Sequence, residues 1–452
     1  MYTKSFTLTT KNKIKSFNKI IEVDSDKSMS IRSFLISSIS HDVSYIKNVL
    51  ESDDVFSCID CLRKLGVKIT KLRNKEYNVF GKGLGSLNIN HNTTLNCGNS
   101  GTTVRLLIGL LTSNPGIKVK ITGDRSLKKR NMSKLIKLMR EFGATFYPKK
   151  KMNLPLTLVS SEMPIGIDYK AGISAQLKSA VIFAALNSYG VTNIIEEKKS
   201  RNHTENMLLQ NSNILKIKRN YKKQNLIKVN GKGYLTPLKI KINGDPSSAA
   251  FFTALTLLNS KSKLKIRNIG LNQRRIGFYN LLKKHGAKIK FYNLRKVNHE
   301  TIGDILISRS KLKPIKANSS YYVSATDEYP ILFVIAALTP GVSTFKGIQD
   351  LANKESNRIE EMKNVLSQIG VKCKSNKNEM KIFGKEIFSF PKKIIKVPNL
   401  GDHRICMSTV ILSLITGITA KIENFETVKT SSPSFLHIIK SLGGKFEIKK
   451  KS

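Results

Sequence analysis

"CLRKLGVKIT", residues 61–70, is the first copy of a phrase that recurs along the chain. Its apolar residues at helical spacing predict a buried helix face, its glycine predicts a left-handed residue that ends the helix, and the β-rich residues after it predict a strand. The other copies are KLMREFGATF (137–146), LLKKHGAKIK (281–290), VLSQIGVKCK (365–374), IIKSLGGKFEI (438–448) and a degraded copy without glycine, MLLQNSNILKI (207–217). Six similar units predict an α/β protein built from repeats, arranged as two domains of three units each.

Length and composition agree with two globular domains. The chain has 452 residues, more than one hydrophobic core usually holds, and 40% of them are hydrophobic. The cysteines form an odd, scattered set, which predicts reduced thiols and a cytosolic type of compartment. The longest apolar runs are too short for a membrane span, and the N-terminal segment lacks the apolar stretch of a signal peptide.

The chain is strongly basic, with a formal net charge of +47. One interpretation is a nucleic-acid binder. The other is compositional drift, because lysine is spread along the whole chain together with abundant Asn and Ile, as an AT-rich genome would impose. A basic tail and a basic patch interleaved with aromatic residues are both missing, which favours an ordinary solvated surface.

Four runs of small polar residues lead directly into apolar helices: DSDKSMSIRSFL (24–35), GNSGTTVRLL (98–107), AGISAQLKSAVIFAAL (171–186) and NGDPSSAAFFTALTLL (243–258). Hydroxyls and backbone N–H groups at a helix N-terminus either cap the helix or bind an anion. Three of these runs also carry cations in or near the first turn, namely Lys27, Arg32, Arg105 and Lys178. Capping alone needs no cation, so the combination predicts a shared anionic ligand.

Further charged residues stand in four short segments. TGDRSLKKRNM (122–132) offers Arg130, and NKESNRIEEM (353–362) places Lys354, Glu355 and Arg358 within one predicted helical turn. In LGDHRICMS (400–408) an Asp-His pair precedes Arg404; such a pair is more often structural than catalytic, and we interpret His403 as a support for Arg404. SATDEYPILFVIAAL (324–338) sets Asp327 at a helix start, where a carboxylate could act as a base.

Taken in this order, the segments resemble the 5-enolpyruvylshikimate-3-phosphate (EPSP) synthase family, whose phrases DKSxSxRxxL, GNxGTxxR, SAQxKSA, GDxSSAAFF, KESDRI and DHRIAM each have a counterpart here. The resemblance implies a two-domain enolpyruvyl transferase fold of the α/β class. Each domain would hold three βαβ-type units around parallel helices, as an inside-out α/β barrel. The implied domains are 23–240 and 1–22 plus 241–452, with the active site in the cleft between them.

The resemblance also implies the reaction: transfer of the enolpyruvyl group of phosphoenolpyruvate to the 5-hydroxyl of shikimate 3-phosphate, with release of phosphate. It implies no metal and no organic cofactor. The expected partners are the two small-molecule substrates, without a membrane or a specific nucleic acid, and the expected form is a cytoplasmic monomer.

Site residues carry over position by position. By resemblance, Asp327 accepts the hydroxyl proton and Glu355 donates a proton to carbon, with Lys27 assisting, although these roles could be shared. We expect burial to raise the pKa of Glu355 and the nearby cations to offset that rise. The residues implied for shikimate 3-phosphate are Lys27, Ser28, Arg32, Ser174, Ala175, Gln176, Arg201, Asp327 and Lys354. Those implied for phosphoenolpyruvate are Lys27, Asn99, Gly101, Arg130, Gln176, Arg358 and Arg404, with Arg105 bracing the site.

The chain departs from the family pattern at several positions. Asn131 replaces a proline and should loosen the turn after Arg130. Asn357 replaces an aspartate and should weaken a brace for Arg358. Thr430 stands where some members carry a lysine, so that role is not carried over. Members with glycine at the position of Gly101 tend to be inhibited by glyphosate, which we expect here as well.

Two other functions compete with this interpretation. The sister transferase that acts on UDP-N-acetylglucosamine shares the fold, but its mobile loop usually carries a reactive cysteine, which TGDRSLKKRNM lacks. A nucleic-acid binder, or a decayed enzyme retained for binding, has only the net charge in its favour; its binding should weaken steeply with salt.

Overall fold

The computed structural model describes residues 5–90, 92–222, 224–386 and 394–450. The first four residues of the N-terminal segment assessed for a signal peptide lie outside that range. Contacts divide the chain into two compact units. The N-terminal unit is Ser25–Ile242 with Val297–Glu300; the C-terminal unit is the chain up to Asp24, Asn243–Lys296 and the chain from Thr301 onward. The chain therefore divides after 24 and after 242, and the small segment 297–300 was not foreseen from the sequence.

The strands, in chain order, are β1 (Phe6–Thr10), β2 (Asn18–Ile21), β3 (Val43–Lys47), β4 (Lys68–Arg73), β5 (Glu76–Phe80), β6 (Thr94–Asn96), β7 (Lys118–Thr122), β8 (Thr145–Tyr147), β9 (Leu156–Val159), β10 (Asp168–Ala171), β11 (Val191–Glu196), β12 (Leu215–Arg219), β13 (Asn225–Asn230), β14 (Lys239–Lys241), β15 (Lys263–Gly270), β16 (Lys288–Val297), β17 (Glu300–Ser308), β18 (Lys316–Ala317), β19 (Gly341–Lys346), β20 (Lys372–Ser375), β21 (Glu379–Gly384), β22 (Ile395–Val397), β23 (Ala420–Ile422) and β24 (Phe446–Lys450).

The helices are α1 (Lys27–Ile39), α2 (Asp53–Lys64), α3 (Gly101–Thr112), α4 (Arg125–Lys129), α5 (Ser133–Glu141), α6 (Ala175–Leu186), α7 (His203–Leu208), α8 (Pro246–Leu258), α9 (Gly277–Lys284), α10 (Tyr322–Ala325), α11 (Tyr329–Ala337), α12 (Arg358–Ser367), α13 (His403–Thr416) and α14 (Phe435–Ser441). Short 3-10 turns cover Ser319–Tyr321, Gln349–Asn353 and Phe425–Thr430.

The described strands form six four-stranded sheets that share one strand order. The N-terminal unit contains β14-β3-β5-β4, β6-β7-β9-β8 and β10-β11-β13-β12; the C-terminal unit contains β2-β15-β17-β16, β18-β19-β21-β20 and β22-β23-β1-β24. In each sheet the first two strands run parallel and the third runs antiparallel to the second. The predicted repeat is therefore a repeated sheet with its helices.

The recurring phrase sits at the same place in every unit. Its five glycines follow α2, α5, α9, α12 and α14, and all have φ between +76° and +96°, the left-handed region in which a glycine ends a helix without strain. The strand after each glycine is an edge strand of its sheet: β4, β8, β16, β20 and β24. The copy without glycine joins α7 to the edge strand β12. The six-unit prediction is confirmed.

The core of each unit is a set of helices that are buried on nearly all faces. In the N-terminal unit α3 contacts both α1 and α6; in the C-terminal unit α8, α11 and α13 contact one another. A helix that is apolar on every side must lie inside, whereas α2, α5 and α9 bury a single apolar face. The predicted α/β enolpyruvyl transferase architecture, with three units around helices in each half, is confirmed.

Three strands lie outside the chain order of the unit they complete. β14 comes after all other strands of the N-terminal unit, yet it pairs with β3 in the first sheet. The first two strands of the chain pair with strands of the C-terminal unit, β1 with β23 and β24, and β2 with β15. Separately, the described part of the chain contains no helix with the length and apolarity that a membrane crossing requires.

Candidate active site

The small-residue turns of the N-terminal unit are capped helix N-termini. Asp26 caps α1 by accepting from the Met29 N–H at 2.8 Å. Ser100 caps α3 and Ser174 caps α6 in the same way, at 3.1 and 3.3 Å. Because these caps leave the other N–H groups of the first turns directed outward along the helix axes, each end favours an anion. The first residues of the three helices are predicted site residues: Lys27, Gly101 and Ala175.

Two of these helices are joined by side chains next to the predicted phosphoenolpyruvate residues. Arg105 donates through Nη1 to the carbonyl of Gly101 at 3.1 Å and to Oε1 of Gln176 at 3.0 Å. Gln176 in turn donates through Nε2 to the hydroxyl of Thr102 at 3.0 Å. Arg105 thus braces α3 against α6, as the sequence analysis expects.

The next predicted residues form a second cluster beside Gly101. Arg130 donates through Nη2 to Oδ1 of Asn99 at 2.9 Å, and Asn99 donates through Nδ2 to Asp124 at 2.6 Å. A Cβ atom placed on Gly101 would lie 2.6 Å from Nη1 of Arg130 and 2.8 Å from Nη1 of Arg105. A side chain at this position would therefore force both guanidinium groups to shift from their places.

The turn after Arg130 is held by the side chain that replaces the proline. Oδ1 of Asn131 accepts from the Ser133 N–H at 2.7 Å, at the entry to α5. An Asn side chain that bonds backbone two residues on supplies a turn of its own, and the expected loosening stays a prediction.

Lys27 and Arg32, predicted for shikimate 3-phosphate, each have partners far away in sequence. Nζ of Lys27 lies 2.8 Å from Oδ2 of Asp54 on α2. The guanidinium of Arg32 is nearly buried and donates to the Thr204 hydroxyl at 2.9 Å, to the Ser28 carbonyl at 3.1 Å and to the Ser179 hydroxyl at 3.3 Å. These contacts fix Lys27 at the first residue of α1 and Arg32 at the sixth. Arg201 lies in the loop just before α7.

Lys178 is not part of an anion site. Its side chain is 0% exposed and its Nζ lies 2.5 Å from Oε1 of Glu196 and 2.6 Å from Oε1 of Glu205. The sequence interpretation grouped Lys178 with the ligand-facing cations because it follows Ser174 by four residues. That position on α6 faces the protein interior, and the interpretation is corrected.

In the C-terminal unit, the predicted base lies beside two arginines. Asp327 stands between α10 and α11, with Oδ2 at 3.2 Å from Nη1 of Arg275 and Oδ1 at 4.0 Å from Nη1 of Arg358. Arg275 also reaches Oδ1 of Asp245, the capping residue of α8, at 3.0 Å. Sequence reasoning missed Arg275; the clustered arginines in "NQRRIG" were the only available signal.

Arg358 begins α12 and is held by two carboxylates. It donates through Nη2 to Glu355 at 2.6 Å and through Nε to Asp402 at 2.9 Å. Burial acts to lower the pKa of Arg358, but the charges of Asp402 and Glu355 outweigh burial and raise it. Asn357 instead caps α12 by accepting from the Glu360 N–H. The brace that Asn357 was expected to weaken is therefore supplied by Asp402.

The sequence interpretation placed Lys354 and Arg358 in one helical turn, and the structure shows that this is wrong. Lys354 follows the 3-10 turn Gln349–Asn353, and its Nζ lies 2.5 Å from Oδ2 of Asp350. The same oxygen accepts from the Tyr322 hydroxyl at 3.0 Å, and burial, together with the charge of Asp350, raises the pKa of Tyr322. Lys354 and Arg358 are thus each paired with an acid of their own, which offsets the repulsion between the two cations.

Arg404 lies in the first turn of α13. Its backbone N–H donates to Asp402, the capping residue, at 2.9 Å, and its guanidinium carbon lies 5.9 Å from the ring centroid of Phe251. Asp402 therefore links the start of α13 to Arg358. Phe251, which supports the guanidinium face, was missed because a buried aromatic residue on α8 has no distinguishing pattern.

Comparisons with known proteins show the family to which the chain is similar. The family model described as EPSP synthase (3-phosphoshikimate 1-carboxyvinyltransferase) matches residues 11–439. A 3-phosphoshikimate 1-carboxyvinyltransferase of Zymomonas mobilis is 35% identical over 431 residues, which is 95% of this chain and 94% of the relative. The EPSP synthase of Acinetobacter baumannii aligns with a TM-score of 0.84 and 31% identity, over 98% of this chain and 100% of that one. An enolpyruvyl transferase of Streptomyces tendae shares the fold, with a TM-score of 0.77 at 11% identity over the full length of both chains.

Proposed function

The chain belongs to the EPSP synthase family, and from that premise we propose which of its side chains perform the reaction. The enzyme is a transferase of the shikimate pathway, in the biosynthesis of aromatic amino acids. It moves the enolpyruvyl group of phosphoenolpyruvate to the 5-hydroxyl of shikimate 3-phosphate and releases phosphate. Its substrates are small molecules, and membership of this family sets aside the competing interpretations as a UDP-N-acetylglucosamine transferase and as a nucleic-acid binder.

In this proposal four cations bind phosphoenolpyruvate, two at its phosphate and two at its carboxylate. Lys27 and Arg130 hold its phosphate, with Asn99, Gln176 and the backbone N–H of Gly101 completing the set. The support is that Gly101 begins α3 with its cap satisfied by Ser100, while Arg130 lies beside it. Arg358 and Arg404 hold the carboxylate, since a guanidinium can donate two parallel hydrogen bonds to it.

Shikimate 3-phosphate is assigned to the ends of α1 and α6 and to two residues of the C-terminal unit. Arg32 is the main cation, supported by its burial and by its fixed position between Ser28, Ser179 and Thr204. The remaining residues of the proposed set are Lys27, Ser28, Ser174, Ala175, Gln176, Arg201, Asp327 and Lys354. A preorganised guanidinium loses little freedom on binding a phosphate.

Proton transfer is assigned to three residues. Asp327 takes the proton of the 5-hydroxyl while the hydroxyl oxygen bonds to C2 of phosphoenolpyruvate. Glu355 delivers a proton to C3, and the product of this step is a tetrahedral ketal phosphate. In the second step Glu355, now a carboxylate, takes a proton back from C3, the C2–O bond to phosphate breaks and the enol ether forms. Lys27 stabilises the departing phosphate. Glu355 suits proton donation because its carboxyl group is mostly buried, 16% exposed, and burial favours the protonated form, while Arg358 beside it acts in the opposite direction.

One observation carries the assignment. The cations proposed for the ligands lie at helix N-termini whose caps are already satisfied by other side chains, Asp26 for Lys27 and Asp402 for Arg404. A cation at the positive end of a helix is unfavourable without an anion; Asp54 offsets this for Lys27, and a polyanionic substrate would offset it further. The arrangement therefore favours polyanionic substrates over a capping role.

The monomeric state and the cytoplasmic location are also proposals. One chain supplies every residue of the proposed site, so a second copy is not required. All five cysteines are free thiols, and four of them are buried, as suits a reducing compartment.

Isosteric variants test the two carboxylates. We expect Asp327→Asn and Glu355→Gln to lower kcat by about 10²–10⁴-fold with much smaller changes in KM. Solvent deuterium should still enter the methylene group of phosphoenolpyruvate in Asp327→Asn more readily than in Glu355→Gln, because only the second variant lacks the donor to carbon. The matched control is Glu360→Gln, on the exposed side of the same helix start as Glu355. Full activity in either site variant would remove that residue from the proposal.

A further inference from the structure

Arg275 lies among three carboxylates and has no role of its own in the proposed mechanism. Arg275 lies in the loop before α9 and its side chain is 2% exposed. Its Nη2 lies 3.0 Å from Oδ1 of Asp245, and its Nη1 lies 3.2 Å from Oδ2 of Asp327 and 3.9 Å from Oε1 of Glu328. One buried cation thus serves three acids that come from the start of α8 and from the turn before α11.

Two of the three acids are already committed to the start of α8. Asp245 caps the helix by accepting from the Ser247 N–H at 2.7 Å. Glu328 is 2% exposed and accepts from the Ser247 hydroxyl. Asp327 differs from both, because its side chain is 25% exposed and it is the acid that can meet a substrate.

We infer that Arg275 is a positioning residue for the proton acceptor Asp327: it fixes Oδ2 and keeps the carboxylate ionised, so that the substrate hydroxyl meets Oδ1. The inference rests on the proposed function, since it takes Asp327 as the base. The planar guanidinium suits this work because its two terminal nitrogens reach different carboxylates at once.

The charges that face these groups give the inference its direction. Asp327 faces Arg275 and Arg358, with Glu328 adjacent and Tyr322 close enough that the charge of Asp327 contributes to its raised pKa. Arg275 faces the three carboxylates and Tyr279 of α9. Without Arg275, Asp327 would stand near the carboxylates of Asp245 and Glu328, and Arg358 would be the cation left beside it. Asp327 would therefore take up a proton at a higher pH.

The test is the pH profile of kcat/KM for shikimate 3-phosphate at saturating phosphoenolpyruvate, in wild type, Arg275→Met, Arg275→Lys and Asp245→Asn. For Arg275→Met we expect kcat to fall at least about 100-fold, the KM of phosphoenolpyruvate to stay within about threefold, and the acidic limb to move up by about one pH unit or more. Arg275→Lys should show a smaller change of the same sign, because an ammonium cannot reach both carboxylates. The substrate phosphates titrate in this range too, but identically in every variant.

Asp245→Asn separates positioning from a merely structural role. Asparagine still caps a helix, while its neutral side chain leaves more of the Arg275 charge to Asp327. The acidic limb should therefore stay in place or move down, opposite to Arg275→Met. The matched control is Arg274→Met, next in sequence and partly exposed, which should leave the profile unchanged.

Each result decides one part of the account. Wild-type enzyme that releases no phosphate, or an active Asp327→Asn variant, would contradict the proposed function itself. An inactive Asp327→Asn variant combined with an unmoved acidic limb in Arg275→Met would overturn the inference alone. If thermal unfolding shows that Arg275→Met does not fold, an unmoved limb in Arg275→Lys, or a limb that moves up in Asp245→Asn, overturns it.

Discussion

At the scale of single residues, three of the proposed binding cations are held in place by acids. Lys27 lies on Asp54, Lys354 on Asp350 and Arg358 on Asp402, at 2.8, 2.5 and 2.9 Å. Such pairs restrain long side chains before the substrate arrives, so less conformational entropy is lost on binding. The proposed site is therefore preorganised by residues that need not touch a ligand.

Gly101→Ala tests whether the space beside two guanidinium groups matters for phosphoenolpyruvate. The added Cβ would lie 2.6 Å from Nη1 of Arg130, which must then move from its place beside Asn99. Loss of one charge-assisted hydrogen bond corresponds to about 1.5–3 kcal/mol, so we expect the KM of phosphoenolpyruvate to rise at least about tenfold. The KM of shikimate 3-phosphate should change little.

Gly172→Ala is the matched control for that variant, because a Cβ there meets nothing within 4 Å. Equal effects of the two substitutions would show that the space at Gly101 has no special role. The expected inhibition by glyphosate stays a prediction, and the same assay tests it.

The half-buried thiol of Cys373 should react slowly and without loss of activity. Burial raises its pKa to about 11, so the reactive thiolate is roughly a hundredfold rarer at pH 8 than in an unperturbed cysteine. Alkylation by iodoacetamide, followed by mass spectrometry, should therefore be slow at pH 8 and accelerate as the pH rises toward 11. Rapid alkylation at pH 8 that is lost in Cys373→Ser would contradict this expectation.

The proposed binding residues could be selected from the sequence, but their supports could not. Arg130 and Arg358 stand in short phrases that resemble the family's motifs, and the caps Ser100 and Ser174 precede apolar helices in the usual way. Asp54 and Arg275 carry no local pattern, because their roles depend on contacts across 27 and 52 positions of the chain. Lys178 shows the reverse error: a local pattern suggested a ligand, and only the fold showed that it faces the interior.

At the scale of elements, a buried group of charges locks α7 to its neighbours. Glu205 of α7 and Glu196 of β11 both contact Lys178 of α6, while Thr204, next to Glu205, accepts from Arg32 of α1. The element that follows Arg201 is therefore fixed by polar contacts on two sides. The loss of the glycine in this third unit left its helix and edge strand intact.

Lys178→Met should destabilise the protein strongly, because it leaves two buried carboxylates without their cation. Breaking such a buried group costs about 3–5 kcal/mol, measurable by urea unfolding. Glu205→Gln should cost far less, since Lys178 and Glu196 then form a neutral pair. Among the described residues, the contact of Glu205 with Lys178 is the one polar contact that either of its carboxylate oxygens makes.

The control for this pair is Glu197→Gln, whose side chain is 44% exposed and pairs with Lys170 outside the buried group. A loss in Glu205→Gln as large as that in Lys178→Met would show that net charge is not what governs the cluster.

The repeated element pattern was readable from the sequence because each unit carries its own helix, glycine and strand. The completion of sheets by β1, β2 and β14 was not, since a three-residue strand such as β14 has no periodicity of its own. Its pairing depends on where the chain passes from one unit to the other.

At the scale of the whole molecule, a net charge of +47 acts on both stability and substrate encounter. Like charges repel one another in the folded chain, and they also raise the local concentration of polyanionic substrates. Salt screens both effects, so it should raise the stability of the fold and lower the rate of substrate encounter.

Sodium chloride raised from about 50 to about 300 mM should lower kcat/KM severalfold and leave kcat nearly constant, because screening weakens encounter more than the buried contacts. The thermal unfolding temperature should rise over the same range. Sucrose of matched viscosity is the control for diffusion. A kcat/KM independent of salt would mean that the surface charge takes no part in substrate encounter.

The account depends most on the acceptor that this enzyme uses, so the most direct measurement is phosphate release from phosphoenolpyruvate with each acceptor in turn. The purified chain should release phosphate with shikimate 3-phosphate, lose that activity in Asp327→Asn and Glu355→Gln, and release none with UDP-N-acetylglucosamine. Phosphate release with UDP-N-acetylglucosamine, or no release with shikimate 3-phosphate from folded protein, would contradict the account.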